Sequence, residues 1–242
     1  MNYAESVRFL YSLGNEIQTA KFGLDRITRL LDALGNPHRT GRFVHVAGTN
    51  GKGSTSAMIE AGLREAGVPT GLYTSPHLIE PTERIRISGQ AVSEDRFAEA
   101  FSEVHEISER LERSGILDLH PTYFECVTAM AFLLFDRARV DTAVLEVGLG
   151  GRLDATNLVD ADVAIVCSIG SDHRDWLGET LEQIGAEKAG IFRHGRPAVL
   201  STAALPASVY AAIECSMSPL NSSARAARSW TICWARLPPS AL

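Results

Sequence analysis

The sequence predicts an α/β protein: a doubly wound parallel sheet with helices on both faces. Three observations carry that prediction. Short β-branched and apolar runs recur near 43–47, 70–74, 142–147, 163–167 and 198–201. Helical patterns lie between them, and strands alternating with helices require crossovers and hence parallel pairing. The chain has 242 residues, 45% hydrophobic and 21% charged, which is ample for one large domain or two small ones.

In chain order, Tyr3, Val7, Leu10 and Tyr11 share one helical face, and Gly14 ends that element. Lys21 to Arg26 leads into a helix with Leu24, Ile27, Leu31 and Leu34 on one side, stopped by Gly35-Asn36-Pro37. Phe43, Val44 and Val46 make the first strand; Gly48, Gly51 and Gly53 follow, then a helix from Ser54 to Glu65. The 70–74 strand runs into Ser75-Pro76-His77-Leu78 and an alternating stretch, Glu83 to Ile87. Phe97, Phe101, Val104, Ile107 and Leu111 mark a long helix whose stripe is core, and 122–139 reads as a more buried one. The strand near 142–147 ends in Glu146-Val147-Gly148, and that near 163–167 precedes Gly170-Ser171-Asp172-His173, with Asp172 a turn former. A helix over 179–192 contains Lys188; the 198–201 strand and a helix over 206–214 complete the pattern.

Residues 215–242 differ. They hold six Ser, five Ala, three Arg, no Asp or Glu, two of the three Trp and two of the four Cys, without periodicity. The expected organisation is one domain over 1–214 and an atypical tail over 215–242, either disordered or the product of a shifted reading frame.

Net charge is −6, which argues against nucleic acid as the main partner. No apolar run approaches the roughly 18 residues of a membrane span, and the start MNYAESVRFL is not a signal peptide. Cys126, Cys167, Cys215 and Cys233 are scattered, as reduced thiols of a cytoplasmic protein would be.

The chemistry centres on FVHVAGTNGKGSTSAM. Strand, glycine-rich turn and helix N-terminus form a phosphate cradle, because first-turn N–H groups and the positive end of the helix dipole face an anion. Lys52 adds charge, and Ser54 or Thr55 is placed to ligate Mg²⁺. The match to G-x-x-x-x-G-K-[ST] is imperfect, since Val46 replaces the first glycine and Gly53 separates Lys52 from the hydroxyl. Ligands of open parallel sheets bind beyond the carboxyl ends of the strands. Lys52, Ser54, Ser75, Glu146 and His173 all lie at or past such ends, on one expected rim. Singly, each has a plainer reading. Ser75 before Pro76 suits a turn, His173 could be a satisfied loop histidine, and Lys188 beside Glu182 and Glu187 reads as solvated. Glu146 is harder to dismiss, because a carboxylate in AVLEVG is costly without a partner.

The string GTNGKGS resembles the phosphate loop of the folylpolyglutamate synthase and dihydrofolate synthase family, relatives of the Mur ligases. TSPHL, TERIRISG, PTYFE, LEVGLGGRLDATN, DHRDWLG and EKAGIF resemble further family motifs in family order, so the resemblance covers residues 1 to about 214. It implies a P-loop-containing, Mur-ligase-like central domain whose partner C-terminal domain is absent here. It implies ATP binding by Gly48, Thr49, Asn50, Gly51, Lys52, Gly53, Ser54 and Thr55. Ser54, Ser75, Glu146 and His173 would be Mg²⁺ ligands, and Lys188 would be carboxylated by CO₂ (N6-carboxylysine). Lys52, Glu146, His173 and Lys188 would serve catalysis. Gly23, Leu24 and Asp25, Thr122, Tyr123, Phe124 and Glu125, and Leu153, Asp154 and Ala155 match positions lining a pterin pocket.

The implied reaction is ATP-dependent amide formation between L-glutamate and dihydropteroate or a folate, through an acyl phosphate, by a monomer. The TER of Thr82-Glu83-Arg84 resembles members that also make dihydrofolate. Lacking the second domain, this chain is expected not to turn over. Two other readings stand: a nucleotide- or pterin-binding remnant without catalysis, and another Mur-type amide ligase, against which PTYFE and TERIR count.

Overall fold

The computed structural model describes residues 1–14, 23–171, 173–201, 205–217 and 232–235, with the backbone alone at 201, 215–217 and 232–235. Asp172 and the Lys21-Phe22 start of the second helical segment lie outside the described residues. Among the described residues eight strands form one sheet: β1 Arg42–Ala47, β2 Thr70–Tyr73, β3 Ile85–Ile87, β4 Gln90–Ala91, β5 Thr142–Glu146, β6 Val163–Val166, β7 Ala198–Ser201 and β8 Ile232–Ala235. Their order is β4-β3-β2-β5-β1-β6-β7-β8. β3 and β4 pair antiparallel at one edge, β2 pairs antiparallel with β3, and every other pairing is parallel. The edge hairpin turns through Ser88 (φ 48°) and Gly89 (φ 79°), both in the left-handed region that a two-residue turn requires.

The helices are α1 Tyr3–Ser12, α2 Asp25–Ala33, α3 Lys52–Glu65, α4 Glu94–Arg113, α5 Tyr123–Arg137, α6 Arg174–Leu177, α7 Leu181–Ala189 and α8 Ala207–Met217. Successive strand residues point to opposite faces, so cores form on both sides of the sheet. On one face Val46, Leu72 and Val144 pack with Ile59 and Leu63 of α3. On the other, Phe43, Tyr73, Ala143 and Leu145 meet Met130, Phe132 and Phe135 of α5, with α2 and α4 layered outside. A further cluster joins Ala164, Val166, Ala198 and Leu200 to Ala189 of α7 and to Val209 and Ile213 of α8. The sheet is doubly wound. The central strands are buried on both faces, which is why they read as continuous apolar runs.

Three boundaries differ from expectation. α3 begins at Lys52, not Ser54, because Gly51 (φ 81°) caps it in the left-handed conformation without a side chain. The helix expected over 179–192 is shorter, Leu181–Ala189, since Thr180 and Gln183 form a capping box that fixes its start. The last helix, expected over 206–214, runs over Ala207–Met217, and Ile232–Ala235 pairs parallel with β7.

Candidate active site

The phosphate loop leaves β1 through Gly48 (φ 150°), where an added Cβ would stand 3.1 Å from Ser168 N. The segment after β6 pins it. Thr49 N–H donates to Ser168 O (2.9 Å), Asn50 N–H to Ser168 Oγ (2.8 Å), and Ser168 Oγ–H to Asn50 O (2.9 Å). Thr49 Oγ1 donates to Gly170 O (3.2 Å) and accepts from Gly170 N (3.0 Å). No side chain caps α3, so its first-turn N–H groups remain for an anion. Lys52 Nζ meanwhile donates to Gly48 O (3.0 Å) and Thr49 O (3.2 Å) of its own loop. Gly51 and Ser54 are exposed, Gly53 and Thr55 half-buried, and Thr55 Oγ1 accepts from Cys167 Sγ at 3.2 Å.

Glu146, the last residue of β5, lies beside Val46 of β1. It is 4% exposed, and its Oε2 accepts from Ser75 N at 3.0 Å. A Cβ on Gly53 would lie 3.4 Å from that same oxygen, so the phosphate loop passes directly over the carboxylate. Burial pushes the Glu146 carboxyl up, while the Ser75 N–H and the charges of Lys52 and Arg84 draw it down. Lys52, Ser75, Glu146 and His173 follow or end β1, β2, β5 and β6, four adjacent parallel strands, and so stand on one edge. The Ser75 N–H bonds to Glu146, and Gly53 lies one methyl group's reach from the same carboxylate. His173 sits further along the chain from its strand, exposed, in the left-handed conformation (φ 48°) at the start of α6.

Lys188 corrects the reading from spacing. It is 2% exposed, not solvated. The end of α7 that carries it abuts the turn after Glu146: a Cβ on Gly151 would be 2.8 Å from Glu187 O and 2.9 Å from Lys188 O.

The three segments matched to a pterin pocket lie near one another. Thr122 caps α5, and its N–H and Oγ1 donate to Glu125 Oε2 at 2.7 and 2.9 Å. Arg26 Nε reaches the same oxygen at 2.8 Å, which ties the start of α2, with Gly23, Leu24 and exposed Asp25, to α5. Phe124 covers Gly148, where a Cβ would be 2.5 Å from Cζ, and its ring centroid is 6.0 Å from that of Tyr73. Asp154 is saturated: Oδ2 accepts from Gly148 N (3.0 Å) and Leu149 N (2.9 Å), Oδ1 from Thr156 N (3.0 Å) and Oγ1 (2.5 Å). Leu153 is half-buried and Ala155 buried. Sequence reasoning missed a cluster beside them. Tyr11 stacks on Tyr123 at 5.8 Å, and buried Arg84 lies over the same ring at 5.1 Å. Arg84 Nε donates to His77 Nδ1 (2.8 Å), and His77 Nε2 meets Tyr11 Oη (3.0 Å). The motifs TSPHL, TERIR and PTYFE singled out the segments that hold His77, Arg84 and Tyr123, but not their contact with one another.

Among the described residues no group of three or more His, Cys, Asp or Glu is placed to hold a metal ion. One carboxylate with neighbouring hydroxyls suits Mg²⁺, which keeps waters and takes substrate phosphates as ligands. Among the described residues no helix is long and apolar enough to cross a membrane.

The Mur ligase middle domain matches residues 46–203. The chain belongs to the Mur ligase family. Within it, the chain is 45% identical over 192 residues to the dihydrofolate synthase/folylpolyglutamate synthase of Escherichia coli K12, spanning 79% of this chain and 44% of that protein. To the folylpolyglutamate synthase of Lacticaseibacillus casei it is 39% identical over 199 residues, 82% and 46% of the two chains. A solved FPGS–AMPPCP complex superposes with TM-score 0.82 at 37% identity, over 89% of this chain and 51% of that one. E. coli FolC in complex with DHPP and ADP gives 0.79 at 42%, over 88% and 49%. This Mur ligase chain thus spans less than half the length of these two curated relatives.

Proposed function

We propose that this chain is the nucleotide-binding part of an ATP-dependent amide ligase joining L-glutamate to dihydropteroate or a folate. The observation that carries the proposal is the phosphate loop passing over buried Glu146 and its Ser75 partner, with the half-buried ring of Phe124 against Gly148 just beyond that carboxylate. A phosphate site, a buried carboxylate and a partly exposed aromatic ring are what a nucleotide and a pterin together need. Relatives named for folate synthesis, and complexes with AMPPCP, folate, DHPP and ADP, support the same reading.

In this reading Gly48 to Thr55 hold the triphosphate, and Lys52 leaves its loop carbonyls to bind the β- and γ-phosphates. Ser54, Ser75, Glu146 and His173 would hold Mg²⁺, which when bound offsets phosphate charge. The substrate carboxylate oxygen attacks the γ-phosphorus and ADP departs. The glutamate amine then attacks the acyl carbon, phosphate leaves and the amine loses a proton. Gly23–Asp25, Thr122–Glu125 and Leu153–Ala155 would position the pterin, and a carboxylated Lys188 would add negative charge behind the metal ligands.

Calorimetry of Mg·ATP binding tests the cradle. The Coulomb attraction lost in Lys52→Ala is about 4 kcal/mol gross. Charged hydrogen bonds contribute about 1.5–3 kcal/mol net, so affinity should fall about 10- to 100-fold with the fold intact. Equal affinities would reduce the loop to a structural turn.

A further inference from the structure

His45 lies at the centre of the sheet, paired with Leu145 on one side and Ala164 on the other, and is fully buried. Its Nε2 is 2.7 Å from Thr156 Oγ1, and Thr156 Oγ1 is 2.5 Å from Asp154 Oδ1. Asp154 in turn holds the Gly148 and Leu149 N–H groups, two and three residues past Glu146. Four groups are thus linked in series from the strand that feeds the phosphate loop to the turn beyond the buried carboxylate.

Donor and acceptor roles fix the direction of these bonds. Gly148, Leu149 and Thr156 N–H can only donate, so Asp154 acts as an acceptor on both oxygens. Thr156 has one hydroxyl proton; given to Asp154, it leaves the oxygen to accept from His45. His45 then carries its proton on Nε2. Its Nδ1, buried and without a hydrogen-bond partner among the described residues, is left as a bare lone pair. The opposite tautomer would bury an N–H donor with no acceptor, which costs more than an unfilled lone pair. Burial also pulls the imidazolium pKa down to about 3, so the ring stays neutral throughout the working range.

We infer that His45 is a positioning residue: through Thr156 and Asp154 it fixes the Gly148–Leu149 turn, and so holds Glu146 against Ser75 beneath the phosphate loop. Glu146 is anchored by β1 alongside and by a backbone N–H in front, and Asp154 holds the residues after it. Released from Asp154, the turn would let the Glu146 carboxylate leave the Ser75 N–H. The inference rests on the proposed role of Glu146 for its second half only; the relay itself does not depend on that role.

The test compares wild type, His45→Gln and His45→Leu in the full 242-residue chain. Gln presents an N–H at about the reach of Nε2, whereas Leu fills space without donating. Amide exchange at Gly148 and Leu149, relative to β7, reads the relay. It should quicken about tenfold in the Leu variant and stay near wild type in the Gln variant. ATP affinity with and without Mg²⁺ reads the coupling. Loss of an outer partner of a metal ligand typically costs about 10–100-fold, so the gain in affinity from Mg²⁺ should drop about tenfold in Leu and return in Gln. Unchanged exchange in His45→Leu, or equal behaviour of Leu and Gln, overturns the relay. Quickened exchange with an unaltered Mg²⁺ effect overturns the hold on Glu146. A wild type whose ATP affinity ignores Mg²⁺ defeats the proposed function instead, and the exchange measurement still decides the relay.

Discussion

At the scale of single residues, burial decides more than identity. Lys188 and His45 are both basic groups withdrawn from water. Lys188 is 2% exposed, and carboxylation would turn its amine into an anion. Protein equilibrated with ¹³C-bicarbonate and Mg²⁺ should therefore give a carbamate signal that Lys188→Met abolishes. His45 stays neutral, and this has a sign. Its folded pKa, about 3, lies below the unfolded value of 6.5, so folding favours the uncharged ring. Above pH 6.5 the two states are alike. As pH falls below 6.5 the unfolded chain gains a proton that the folded one refuses, at about 1.4 kcal/mol per pH unit down to about pH 3. Urea unfolding at about pH 7 and about pH 5 should thus show wild type losing about 2 kcal/mol more than His45→Gln. Equal losses would mean that the histidine is solvated in the folded state.

Among the elements, the turn after β5 matters as much as the phosphate loop. Gly151 has no room for a side chain: a methyl group there would stand 2.8 Å from Glu187 O and 3.1 Å from Ile191 Cγ2. Gly151→Ala should destabilise by about 1–3 kcal/mol, since the nearest obstacles are backbone carbonyls that cannot rotate aside. A urea midpoint within error of wild type would show that α7 slides freely. The parallel strands β1, β2, β5, β6 and β7 were legible from sequence to within a residue or so, because strands buried in a parallel sheet leave unbroken apolar runs. The antiparallel edge pair β3–β4 and the short β8 were not expected as strands. Helix starts were also less legible. The helix was expected from Ser54, yet a left-handed Gly51 starts α3 two residues earlier, a choice set by backbone conformation and not by a side chain. Glu146 and the phosphate loop were legible because a carboxylate in an apolar strand and a glycine run before a helix each break a local rule. The roles of Arg84 and His45 and the saturation of Asp154 were not. Those bonds form only once the fold brings separate segments together.

In the molecule as a whole, the rim lies open: Gly51, Ser54 and His173 are exposed. An acyl phosphate needs reactants oriented together and shielded from water. The 242-residue polypeptide, assayed alone, should bind Mg·ATP without glutamate-dependent ADP release on dihydropteroate or tetrahydrofolate; multiple turnovers with either would refute this. The order of the strands also sets a schedule. β1 ends at Ala47, but its neighbours β5 and β6 begin only at Thr142 and Val163. At ribosomal speeds of about 5–20 residues per second, the central strand is made roughly 5–20 s before either partner exists. During that interval Phe43, Val44 and Val46 have no neighbouring strand to pair with, and they stay without one until synthesis passes Glu146.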